Sequence, residues 1–229
     1  MRVKNNILIL DTETTGDFAQ PFVHDLGYCI IDKDFNILTQ KRFLVKQARA
    51  CKWALNYSEF YRSKASLYDS EIENGTVEIK AWNEIIKEFY SDIKTYKVGC
   101  LSAYNLAFDF RALNFTEHFL NNDSNFIADL FDKKRLLCIW NLACETILQD
   151  NDYKEFCKNN GYITQAGNYL TNAETTYKYI TEKLDFQEEH TALSDVLIEK
   201  EILEHIIKQE KGKVEYGLAY NCWKKVTEK

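Results

Sequence analysis

The sequence predicts an α/β protein: a mixed central sheet flanked by helices, with the first three strands antiparallel and the later ones parallel. Three observations predict it. The chain opens on a short, wholly apolar run, Ile7-Leu8-Ile9-Leu10; two further strand-like segments follow, joined by Asp32-Lys33-Asp34; and from Trp82 strand-like and helix-like patterns alternate. A hairpin followed by strand-helix alternation belongs to a layered α/β domain.

Taken in order, Ile7–Leu10 suits a central strand covered on both faces and delivers Asp11 to its C-terminal end. Phe22 to Ile31 and Phe35 to Val45 read as strands, and the Asp-Lys-Asp turn between them favours an antiparallel hairpin. Trp82, Ile85, Ile86, Phe89, Tyr90 and Ile93 recur at the three-and-four spacing of one helical face. Val98 to Ala103 reads as a buried strand, and Asn105 begins a helix that runs to about Leu120. Lys134 to Ile147 has a helical pattern, whereas Gln149 to Asn168 is polar and Asn-rich with no usable period. Thr171 and Glu174 make a capping box for a helix carrying Tyr177, Ile180 and Leu184. Beyond Thr191, the residues Leu193, Val196, Leu197, Leu203, Ile206 and Ile207 predict a long helix whose stripe is interrupted by Lys200.

Composition limits what such a domain can do. With 229 residues, 45% hydrophobic and 14% aromatic, and only 8 Gly and 1 Pro, the chain can bury a real core and is neither disordered nor a fibrous repeat. A formal net charge of −6 excludes a basic field over the whole surface, so any contact with a polyanion must be local. Seven Cys with no C-x-x-C pair fit neither a zinc site nor a disulfide framework, and reduced thiols are expected. The first apolar run is too short for a signal peptide and no span approaches a membrane helix, so a cytoplasmic protein is expected.

Three polar groups carry chemistry. Asp11 and Glu13 stand two apart at a strand end, so both carboxylates point to the same side. Their repulsion is tolerable where a divalent cation lies between them, and oxygen donors suit Mg²⁺ or Mn²⁺; the same letters also suit a strand-end turn. Asn105 and Asp109 lie one helical turn apart just after a strand, where sites in open α/β sheets gather; they equally suit a helix cap and a first-turn acid. His190 and Asp195 stand at the mouth of the last helix, and an imidazole is the usual proton acceptor near neutral pH.

In order and spelling these groups resemble the three motifs of the DEDDh exonucleases, the DnaQ-like proofreading and repair family. Asp11-Thr12-Glu13-Thr14-Thr15-Gly16, with a Gly27-centred second strand, is similar to the first motif. Asn105-Leu106-Ala107-Phe108-Asp109 is similar to the second, and His190-x-Ala192-x-x-Asp195 to the third in its His version. The resemblance implies a ribonuclease H-like exonuclease fold over residues 1–207, with 208–229 as an extension packed on the same domain.

It further implies a 3′-5′ exonuclease releasing nucleoside 5′-monophosphates from single-stranded or frayed DNA 3′ ends, with an exoribonuclease or a non-catalytic accessory module as alternatives. Asp11, Glu13, Asp109 and Asp195 would hold two divalent metal ions, Mg²⁺ or Mn²⁺, and His190 would act as general base. Thr12, Thr14, Asn105 and Phe108 would contact substrate, Thr12 and Thr14 through backbone and hydroxyl at the terminal sugar, and a polymerase or repair complex could be a partner in trans. Residues 41 to 64 add seven basic residues against one acid, interleaved with Trp53, Tyr57, Phe60 and Tyr61, which suits either a single-strand groove or a solvated loop over the sheet edge.

Overall fold

The computed structural model describes residues 5–15, 19–51, 59–122, 124–209 and 214–226. Strands β1 (Asn6–Thr15), β2 (Phe22–Ile31), β3 (Ile37–Val45), β4 (Glu78–Lys80), β5 (Val98–Ala103) and β6 (Arg135–Cys138) form one sheet in the order β4-β3-β2-β1-β5-β6. The first three are antiparallel, whereas β4 runs parallel to β3, β5 to β1, and β6 to β5, which is the expected mixed sheet. The helices that cover it are α1 (Lys46–Ala50), α2 (Glu59–Glu73), α3 (Trp82–Thr95), α4 (Leu106–Leu120), α5 (Phe126–Asp132), α6 (Ile139–Glu145), α7 (Asn151–Asn160), α8 (Ala173–Thr181) and α9 (Ala192–Lys208).

Strand alternation divides the core in two. Ile7 and Ile9 of β1 pack with Val196, Ile202, Leu203 and Ile206 of α9. Leu8 and Leu10 pack instead with Trp82, Ile85 and Phe89 of α3 and with Ala112 and Leu113 of α4. All four strand residues are at most 1% exposed, and each such burial contributes about 1.5–3 kcal/mol relative to solvent. Carried two residues further, the alternation sends Asp11 and Glu13 toward α9 and Thr12 toward α4.

Several boundaries differ from the sequence reading, each for a physical reason. Arg135–Cys138 is a strand rather than the start of a helix, because its apolar run pairs in parallel with β5; short apolar runs do not distinguish the two by period. Asn172, not Thr171, caps α8 by accepting the Thr175 N–H at 3.4 Å, while Thr171 lends its hydroxyl to Trp140 Nε1; Leu184 falls beyond the helix and is exposed. Phe35 belongs to the turn, at φ 64°, where Asp32 Oδ1 accepts from the N–H groups of Asp34 and Asn36. The uncommitted stretch after Gln149 contains α7, which ends at Gly161 in the left-handed conformation (φ 72°). After α9 the chain returns to the domain, where Gly217 bridges Leu137 and where Cys222 and Val226 are buried in the α9-side core. Among the described residues no helix is long and apolar enough to cross a membrane.

Gly27 sets how closely α9 approaches the sheet. It pairs with Asp11 across β1 and β2, and a Cβ placed there would lie 2.4 Å from the Ala192 carbonyl carbon and 2.5 Å from Leu193 N. Those are backbone atoms at the start of α9 and cannot swing aside. Gly27→Ala is therefore expected to destabilise by about 1–3 kcal/mol through overpacking. A drop in melting temperature of roughly 2–4 °C per kcal/mol is the readout, and an unchanged value would show that α9 is not seated on Gly27.

Candidate functional site

The three polar groups meet at the C-terminal ends of β1 and β5, beside the start of α9. β1 does not end at Asp11: its ladder with β2 continues to Thr15, with an irregularity between Glu13 and Thr14, so the two acids stand on paired backbone. Glu13, His190 and Asp195 each offer a ligand atom within 4.8 Å of the others. Asp109, in the first turn of α4 and 3% exposed, reaches β1 from the opposite side and accepts from Thr12 N at 3.1 Å and Thr12 Oγ1 at 2.8 Å. Thr12, expected to offer its N–H and hydroxyl to a sugar, thus gives both to Asp109. Thr14 and Phe108 are half-buried and Asn105 is exposed, its amide making no cap hydrogen bond to α4. Gly16 lies outside the described residues.

Sequence reasoning missed two acids. Glu199, one turn after Asp195 on α9, is 3% exposed; the Tyr104 backbone N–H donates to it, while its Oε2 is buried without a partner among the described residues. Its position had a signal: Asp195, Glu199, Ile202 and Ile206 follow helical spacing, so this acid stands within the apolar stripe. Asp25, fully buried on β2, pairs with Arg42 (Nη2 at 2.9 Å) and accepts the Ala192 N–H at 3.3 Å, anchoring the start of α9. Thr191, the N-cap residue of α9, donates its own N–H to Ser194 Oγ at 3.3 Å.

The cluster carries more negative charge than its setting tolerates. Burial, then repulsion from Asp109, Glu199, Glu13 and Asp195, raises Asp11 far above the carboxylate range. Burial, with Asp195 beside it, pushes Glu13 up to about 8. Burial also lifts Asp109 to about 7 against the Thr12 hydrogen bonds, and Asp195 to about 6 against the Ser194 hydroxyl. Glu199 is likewise raised well above its ordinary value, by burial and then by Asp109. Asp11 Oδ2 is buried with no partner among the described residues. Asp11, Glu13, Asp109 and Asp195 offer oxygen donors that suit a hard divalent cation, with the His190 ring nitrogen as a further ligand atom beside Glu13 and Asp195.

A pH dependence follows. Unfolded, these carboxyls titrate near 4, whereas in the folded chain they hold protons to about 6, 7 and 8. The folded state therefore binds the extra protons, and the metal-free protein loses stability as pH rises through that window. Melting in EDTA is expected to fall between pH 5 and about 8.5, and Mg²⁺ is expected to flatten the slope; a melting temperature rising with pH would contradict the electrostatics.

His190 is placed differently. It sits at φ 53°, in the left-handed region, and its half-exposed imidazole has Nδ1 at 3.5 Å from Glu188 and 3.9 Å from Asp195. Burial, with Lys64 nearby, holds its pKa below the ordinary value, so the ring is neutral near pH 7 and can accept a proton. Lys64 also donates to the Glu189 carbonyl, tying α2 to this loop.

Several described residues of the basic, aromatic segment are engaged in structure. Arg42 pairs with Asp25 and Glu71, Lys41 with Glu88 and Asp92, and Arg49 with Asp69. Tyr61 is 7% exposed and packs edge-on against His24, beside Tyr68. Trp53 and Tyr57, and the side chain of Phe60, lie outside the described residues.

No family model matches the chain, and no curated protein matches its sequence. Solved structures do. Escherichia coli exonuclease I in complex with a dA16 oligonucleotide superposes with a TM-score of 0.55 at 14% identity, over 90% of this chain. The chain spans only 41% of that protein. Cell-death related nuclease 4 (CRN-4) gives a TM-score of 0.53 at 15% identity, over 93% of this chain and 66% of its own. At such identities the likeness establishes the fold alone, a mixed sheet flanked by helices that the chain shares with these two nucleases.

Proposed function

We propose that this chain is a divalent-metal-dependent 3′-5′ exonuclease that trims single-stranded DNA ends and releases nucleoside 5′-monophosphates. The observation that carries the reading is the meeting of Glu13 on β1 and Asp195 on α9 with the His190 imidazole, their ligand atoms within 4.8 Å of one another, beside Asp11, whose Oδ2 is buried without a partner among the described residues, and Asp109 of α4, whose charge raises the Asp11 pKa. Exonuclease I, similar in fold, binds dA16 and dT13 oligonucleotides. The order of the motifs, as in DnaQ-like enzymes, supports the same reading.

Asp11, Glu13 and Asp195 would hold the cations, with Asp109 supporting them from α4. When bound, such ions lower the pKa of water and stabilise charge on the attacking and leaving oxygens of a phosphoryl displacement. His190 takes the proton from the attacking water and passes it to solvent, to which its ring is half open. Thr12 orients Asp109 by two hydrogen bonds to one oxygen, leaving the other carboxylate oxygen for the site. Asp25 and Gly27 seat α9 so that Asp195 faces Glu13. The Phe108 ring is offered to a terminal base.

The test uses 5′-labelled single-stranded DNA and RNA of one sequence with Mg²⁺, Mn²⁺ or EDTA. A ladder of shortened 5′-labelled DNA in Mg²⁺ that vanishes in EDTA is expected. An EDTA-resistant ladder, or immediate release of labelled mononucleotide from the 5′ end, would overturn the mechanism or the polarity. Faster shortening of RNA would reassign the substrate.

A further inference from the structure

Two cavities adjoin the turn that delivers Asp109; the larger has no part in the catalytic scheme, and the smaller holds Phe108, the ring offered to a terminal base. The larger, about 450 Å³, is walled by Trp140, Tyr169 and Trp223, with the amides of Asn105, Asn168 and Asn172 at its edges. The smaller, about 240 Å³, contains Phe108, Arg111 and Tyr220. Asn105 and Trp140 line both, so the two lie side by side at the strand-to-helix turn ahead of Asp109.

The walls are built. Trp140 donates its backbone N–H to the Tyr104 carbonyl at 2.8 Å and its indole N–H to Thr171 Oγ1 at 2.9 Å, so both of its donors are engaged and it offers the cavity ring carbon. The Tyr104 hydroxyl, held by the Thr171 carbonyl at 2.7 Å, braces the same wall. Asn172 uses Oδ1 on the Thr175 N–H, which leaves its amide donors as the group it can present. Asn105 stands where a helix cap would be, yet its exposed amide makes no cap hydrogen bond. Cations flank the rings on a net-acidic chain: Arg111 Cζ lies 5.5 Å from the Phe108 centroid, Lys158 5.8 Å from Tyr169, and Lys224 5.7 Å from Trp223.

Flat aromatic walls, amides that both donate and accept, and flanking cations are the chemistry of an unpaired nucleobase and its phosphates. The larger cavity also falls within the roughly 300–1,000 Å³ of small-molecule sites. We propose that it is an internal nucleobase subsite, taking one unpaired base of a strand whose 3′ end lies at the carboxylates, with the smaller cavity carrying the strand between them. The proposal rests on the nuclease reading. It gives the strand a fixed register, and it assigns substrate contacts to the C-terminal segment and the loop before α8.

The test measures anisotropy of 5′-fluorescein dT8 on the full chain in EDTA, beside dT8 variants carrying one abasic residue at successive positions from the 3′ end. One position is expected to lose about 5- to 100-fold in affinity. Trp223→Ala is expected to weaken intact dT8 by a similar factor and to erase the penalty at that position, whereas Trp223→Phe restores both. Asn168→Ala, on a hairpin outside the core, gives a smaller loss in the same register. Penalties equal at every position, or still present in Trp223→Ala, would overturn the subsite, and if Mg²⁺ still drives shortening the nuclease reading survives alone. No binding of dT8 together with no shortening would remove both.

Discussion

Asp11→Asn is expected to slow shortening of single-stranded DNA by at least about 100-fold, the upper end of what losing even an outer partner of a metal ligand costs. The same substitution is expected to raise the melting temperature of the metal-free protein. Both effects have one cause. Asp11 is crowded by Asp109, Glu199, Glu13 and Asp195, and its Oδ2 has no partner among the described residues. An amide of the same shape removes that repulsion, and each kcal/mol relieved is worth about 2–4 °C in a chain of this size. Activity and stability thus move in opposite directions, as they do where a site is strained for function. Single-turnover rates and melting in EDTA check the pair, and equal rates for the wild-type chain and Asp11→Asn would remove Asp11 from the site.

His190→Gln is the second large effect. Loss of a positioned general base costs about 10²- to 10⁴-fold in kcat. Binding of Mn²⁺ and of DNA in EDTA is expected to stay near wild type, because the carboxylates remain. The acidic limb of the wild-type pH–rate profile should reflect an imidazole whose pKa burial and Lys64 hold below 6.5. That limb should flatten in the variant. If kcat is unchanged, or if the loss follows Mn²⁺ affinity, the imidazole is not the base.

Much of this was legible in the sequence because the signals were local. The Ile7–Leu10 run, the turn at Asp32, and the stripe from Trp82 to Ile93 each became the element they predict. The three motifs stand at adjoining strand and helix ends because β1 and β5 are parallel neighbours, so their C-terminal ends lie together. What stayed hidden depends on pairing at a distance. Arg135–Cys138 is a strand only because β5 lies beside it. Glu199 reads as one charge in Glu199-Lys200-Glu201, the spelling of a solvated face, until α9 is laid on β1. Arg42 and Tyr61 suit a single-strand groove as well as a solvated loop until Asp25, Glu71 and His24 are brought against them.

The central claim, that these carboxylates form a divalent-cation site, is tested most directly by calorimetric titration of Mn²⁺ into the wild-type chain and Asp11→Asn at pH 7 in two buffers of different ionisation enthalpy. Carboxyls held protonated to about 6, 7 and 8 must release protons when a cation binds. The wild-type heat should therefore depend on the buffer, and binding should be lost or severely weakened in Asp11→Asn. Mn²⁺ binding that releases no protons and is identical in the two chains would contradict the account.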